Sequence, residues 1–122
     1  PLTSPKNSSI DNSALNEIVS KEDHLKTYED WKKIADYKTV ELFTCAKQLI
    51  DEDNWMQVGD ICSAEHGNKR VLFRDGIEER SNLNYEERQR LLKYWDEQFD
   101  LTIIKIKELI DENEKKRRPN RD

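Results

Sequence analysis

The residues best suited to chemistry are two cysteines and two histidines: Cys45, Cys62, His24 and His66. Cys62 and His66 stand four apart, a spacing that would put both on one helix face as two zinc ligands. Cys45 and His24 lie far upstream, and no close Cys-Cys pair completes a finger. A buried thiol and a loop histidine account for the same residues, so no metal is expected. Asp51-Glu52-Asp53 opens like a calcium loop. The sixth and twelfth positions, where Gly and Glu belong, hold Met56 and Cys62, which excludes it. That acidic run reads as a solvated helix junction. There is no Gly-rich phosphate cradle, no nucleophile elbow and no His–carboxylate pair at a useful spacing. The expectation is a protein without catalytic residues or cofactor.

Cations offer a second kind of chemistry. Lys69, Arg70 and Arg74 fall on one predicted helix, and Lys115, Lys116, Arg117 and Arg118 form a compact basic run near the C-terminus. Both groups are candidates for contact with nucleic acid or an acidic surface. Each has a plainer explanation. Arg70 and Arg74 have Glu78 at helical spacing for ion pairing, and the basic run suits the negative end of a helix dipole. The run also fits a nuclear-import signal. A net charge of −5 argues against a general nucleic-acid binder.

The 122 residues are enough for one domain. Only 34% are hydrophobic and 39% are charged, but the apolar residues cluster, which permits a modest core. Three Gly, three Pro and no sustained period-two alternation predict an all-α fold. The expected architecture is a small helical bundle of four to five helices with a long C-terminal helix. No apolar run is long enough to cross a membrane. A chain opening on Pro1 and ending in a charged run reads as part of a longer protein, with removal of an initiator Met before Pro as the alternative.

That long helix, over residues 84–116, organises the chain. Leu92, Trp95, Phe99, Thr102, Ile106 and Leu109 recur at alternating steps of three and four, and Ile103 and Ile110 widen the stripe. Asn84 with Glu87 predicts a capping box at its start, and Pro119 stops it. At about 1.5 Å per residue it spans roughly 50 Å, longer than a domain this small is wide. Its C-terminal half must project or find a second helix alongside. Trp95, Phe99, Ile103, Ile106, Leu109 and Ile110 are therefore the candidate partner-binding residues. They would serve a partner helix, or a homodimer through the long helix.

Residues 1–19 are rich in Ser, Asn and Pro and read as a flexible tail or linker. Within them Ser4-Pro5-Lys6 resembles a proline-directed phosphosite and Asn7-Ser8-Ser9 a glycosylation acceptor, while Leu15, Ile18 and Val19 could dock as one apolar face. A helix over 20–36, capped by Ser20 or Asp23, is followed by a second helical stretch over 37–51, which either continues the first or, as favoured, starts anew at a bend with Asp36 as N-cap. Asn54 or Asp53 would cap a helix over 55–64, with Val58, Ile61 and Cys62 inward. Gly67 would close it in the left-handed region. Residues 68–80 form the next helix, with Leu72, Phe73 and Ile77 apolar, and Gly76 weakens its last turn by about 1 kcal/mol relative to Ala. The helical domain thus covers 20–116, and 117–122 is a basic tail.

Segment 39–80 resembles a SANT/Myb-type three-helix unit. The likeness is carried by Glu41-Leu42 and Ala46, the acidic turn, Asn54-Trp55-Met56-Gln57-Val58 and the helix that follows. It is similar to SANT-like segments of histone acetyltransferase complex subunits. In that family the Trp opening the second helix anchors the core, and Trp55 matches it. The Trp of the first helix has no counterpart near Tyr37, and Phe73 or Ile77 stands for the third-helix Trp. Asp75, Glu78 and Glu79 sit beside the basic residues of the third helix, unlike a helix that reads the major groove. The resemblance therefore implies a non-enzymatic protein-interaction domain of a nuclear, chromatin-associated assembly, with contact to histones among the expectations. The alternatives are a DNA- or nucleosome-binding module, and a cytoplasmic location.

Overall fold

The structure, a computed structural model, describes residues 12–59 and 64–117. Among the described residues there are four α-helices: α1 (Asn12–Ser20), α2 (Tyr28–Asp51), α3 (Ala64–Asp75) and α4 (Tyr85–Arg117). Short 3₁₀ turns lie at Asp23–Leu25 and Trp55–Gln57, and α3 widens into a π turn over Gly76–Arg80. Among the described residues there is no strand, and no helix is long and apolar enough to cross a membrane. The all-α bundle with a long last helix is as expected.

α2 corrects the sequence reading, because it is one helix of 24 residues with no break at Asp36. Its cap is Thr27, not Ser20 or Asp23. The Thr27 hydroxyl accepts from the Asp30 N–H at 3.1 Å, and the Asp30 carboxylate accepts from the Thr27 N–H at 3.0 Å. This is a capping box with Asp in the place of Glu. Asp36 is not available as a cap, because its carboxylate accepts the Tyr94 hydroxyl from α4. Thr27→Ala should cost about 1 kcal/mol and lower the melting temperature by roughly 4 °C, read by far-ultraviolet circular dichroism.

The second helix that α4 needs is α2, lying parallel to it. Arg90 lies over the Tyr28 ring at 5.2 Å, Tyr94 bonds Asp36, and Phe43 shares a groove with Thr102. Rising numbers meet rising numbers, so the two helices point the same way. α3 returns between them. His66 lies near Gln48, Phe73 packs on Trp31, and Arg80 reaches back to Asp23.

An aromatic chain ties the three together. Trp31 meets Phe73 at 5.6 Å between ring centroids, Phe73 meets Trp95 at 4.6 Å, and Trp95 meets Phe99 at 5.5 Å. Edge and tilted contacts suit the ring quadrupoles. Gly76 allows this approach, since a Cβ there would stand 3.3 Å from Trp31 Cη2. The expected weak turn at Gly76 is where α3 loosens into its π turn.

Three further expectations change. Residues 12–19, read as part of a flexible tail, belong to α1, with Leu15 only 5% exposed and Ile18 against the core. Ser4-Pro5-Lys6 and Asn7-Ser8-Ser9 lie outside the described residues. The helix predicted over 55–64 begins as a 3₁₀ turn, and the Asn54 side chain makes no cap bond. Asp53 is left-handed there (φ 66°), while Ile61 and Cys62 lie outside the described residues. Gly67 does not close a helix but lies inside α3, and no described glycine has a positive φ. The start of α4 is as expected. The Asn84 Oδ1 accepts from the Glu87 N–H at 2.8 Å, and the Glu87 carboxylate accepts from the Asn84 N–H at 3.3 Å.

Candidate docking cleft between α1, α2 and α3

The candidate seam of α4 is covered by the chain itself. Trp95, Phe99 and Ile106 are buried in the core, and Ile103, Leu109 and Ile110 are half-buried against it. Ile103, Ile106 and Ile110 line a hollow of about 280 Å³ with Leu42, Trp55 and Val58. The segment after α2 thus folds over the C-terminal half of α4. Leu101 and Ile104 remain exposed among charged neighbours, a scatter ordinary for protein surfaces. A partner helix or second copy seeking the seam would have to displace α2.

The candidate cations are also placed. Arg74 donates to Asp96 at 2.6 Å, and Arg70 donates to Asp96 at 3.1 Å and to Asp100 at 3.4 Å. Arg70 also stacks over Phe99 at 4.5 Å. These pairs run to α4, not along α3 to Glu78, because Asp96 and Asp100 stand one helical turn apart on the face α3 meets. Lys69 lies on the other side of α3, near Tyr37, Lys38 and Glu41. Lys115 and Lys116 are exposed on α4. Arg118 and the Arg117 side chain lie outside the described residues. Among the described residues no group of His, Cys, Asp and Glu is placed to hold a metal. Cys62 of the zinc reading is outside them.

What the fold leaves open is a cleft of about 440 Å³ between α1, α2 and α3, within the usual size range of binding sites. Its floor is Trp31, Ile34 and Phe73, all buried. Its lips are aliphatic and open to water, with Val19 52% exposed and Leu72 62%. The Trp31 indole N–H is buried without an acceptor among the described residues.

Charged groups mark both ends of the cleft. At one end Asp23 accepts from Lys26 at 2.8 Å and from Arg80 at 2.9 Å. Lys26 is itself buried, donates to the Lys21 carbonyl at 2.6 Å and lies over the Trp31 ring at 5.3 Å. At the other end Glu41 stands among Tyr37, Lys38 and Lys69. The Glu41 charge, with burial, pushes the Tyr37 phenol above its usual range. Burial, with Lys69 nearby, holds the Lys38 ammonium below its usual range despite Glu41.

The strap from Lys21 to Asp30 that bounds the cleft is pinned by carboxylates. Asp23 is held below its ordinary value of 3.8, chiefly by its bond from Lys26 and against burial. Burial acts most strongly on Asp30 and raises it, but the Thr27 N–H and Lys21 together bring it below 3.8. A depressed folded pKa gives stability that is present above the unfolded value and lost as pH falls through the folded one. Asp30→Asn should therefore melt below the parent at neutral pH, and the gap should begin to narrow below about 4 and close as pH falls through the lower folded value. Thermal melts across that range check it.

Sequence reasoning missed Lys26, Lys38 and Arg80, named Asp23 only as a possible helix cap, and marked Leu72 as apolar without placing it on the surface. Asp23 and Arg80 lie 57 positions apart, so no local pattern joins them. Comparison with known protein families, curated proteins and solved structures finds no match to this chain.

Proposed function

We propose that this chain is a non-enzymatic helical protein-interaction domain that receives a partner in the cleft between α1, α2 and α3. The observation that carries this is a buried aromatic floor beneath two aliphatic lips that remain in water. Exposed apolar side chains gathered over a hollow gain free energy when a partner covers them, unlike apolar residues scattered singly.

The setting we propose is a nuclear, chromatin-associated assembly. It rests on the SANT/Myb resemblance of segment 39–80 and on the basic run at residues 115–118. Trp55, which carries the resemblance, packs half-buried against the core, and Phe73 and Ile77 are buried. The rival reading, a nucleic-acid module using Lys69, Arg70 and Arg74, is weakened because Asp96 and Asp100 neutralise both arginines.

Capture from nuclear extract, compared between variants by mass spectrometry, tests the reading. A bound chain should be retained by the parent and by Leu101→Glu, and lost from Leu72→Glu. Equal retention by all three, or loss only from Leu101→Glu, would place docking elsewhere.

A further inference from the structure

Lys38 stands apart from the other described lysines. It lies on α2, lines the cleft and is half-buried. Lys21, Lys26 and Lys47 each donate to a carboxylate, and Lys32 lies over the Tyr94 ring. Among the described residues Lys38 has no such bond. Glu41, next along α2, and Lys69 of α3 act on it through their charges. What α1 brings to the cleft is Leu15, Asn16 and Val19, none of them titratable. Ile34, one turn earlier on α2, belongs to the apolar floor. Burial is the largest influence and favours the neutral amine. Glu41 opposes it, Lys69 adds to it, and the balance stays with the amine. A lysine desolvated beside an apolar surface and a second cation is the nucleophilic kind.

We propose that Lys38 is a modification site of this chain, an amine that takes an acyl group directly from a thioester. The unprotonated Nζ attacks the thioester carbonyl. A C–N bond forms, the C–S bond breaks, and the proton shed by the amine leaves on the thiol. The thioester is the only co-reactant. The cleft, about 440 Å³ with its lips in water, gives a small acyl donor room to approach. The product also suits the place, because a neutral amide costs less to hold half-buried than an ammonium does. The proposal does not rest on the docking reading above. It needs the half-burial of Lys38 and the charges around it, and no partner protein.

The test treats the full chain at neutral pH with a small acetyl thioester, S-acetyl-N-acetylcysteamine. Peptide mapping by mass spectrometry follows each lysine with time. Lys33 and Lys93, both exposed, are the references. Lys38 should acetylate at least about threefold faster than either, and its rate should level off at a lower pH than theirs. Glu41→Gln removes the charge that favours the ammonium and should raise the Lys38 rate further. In denaturing urea the lysines should react alike, because the burial that sets Lys38 apart is gone. The inference falls if folded Lys38 reacts no faster than Lys33 and Lys93, or if its excess persists in urea. It also falls if Glu41→Gln, shown by circular dichroism to stay helical, leaves the Lys38 rate unchanged. Should that variant unfold, the pH profile of the parent decides, and a plateau at the same pH as the reference lysines overturns the inference.

Discussion

Replacing Trp95 with alanine should destabilise the chain by about 4 kcal/mol, enough to unfold much of the population at 37 °C. Trp95 is 1% exposed and joins Phe73 of α3 to Phe99 of its own helix. Its indole N–H donates to the Arg70 carbonyl at 3.4 Å, so the change also strips a partner from α3. The surrounding rings come from separate helices and cannot collapse together into the space. A urea titration followed by far-ultraviolet circular dichroism should show a large fall in midpoint with little change in slope. Trp95→Phe, which keeps a ring for Phe73 and Phe99, should lose clearly less.

Ile106→Ala should cost about 3 kcal/mol. Ile106 is 4% exposed and packs among Leu42, Trp55 and Val58, where the segment after α2 covers α4. Truncation enlarges a hollow that is already about 280 Å³. Ile104, two residues earlier and 51% exposed, should change stability by under about 0.5 kcal/mol when made alanine. Below its melting temperature, Ile106→Ala should retain the chain captured from nuclear extract as the parent does. The same urea titration and the capture experiment check both parts. A seam reserved for a partner would give the reverse pattern, with binding lost and stability kept.

Local signals were the legible ones. The Asn84–Glu87 box opening α4 is a contact between near neighbours, so three residues of spacing suffice to read it. The stripe through Leu92, Trp95, Phe99 and Ile106 is likewise a property of one helix, and those residues are buried. Which surface covers that stripe depends on the path of α3 and on the parallel placement of α2, and neither leaves a periodic trace. Asp36 has the residue type of a cap, yet its partner is Tyr94, 58 positions away. Burial, with the Asp36 bond, pushes the Tyr94 phenol up to about 12, so that contact holds through the neutral range.

Gly67 carries a turn signal that the surrounding helix overrides, and a Cβ there would meet nothing within 4 Å. Leu72 and Phe73 are adjacent and both apolar, so residue type does not separate them. At about 100° per residue the two point well apart, and only Phe73 is buried. The cleft is the least legible feature. Its floor comes from α2 and α3, its lips from α1 and α3, and its charges from segments that meet only after folding.

The cleft, not the α4 seam or its outer face, is where a partner is proposed to sit. The most direct measurement replaces Leu72 or Ile104 with the photo-reactive residue benzoylphenylalanine and irradiates each variant in nuclear extract. A discrete cross-linked species from position 72 and none from position 104 is the predicted result. A species from position 104 with none from position 72 would contradict it.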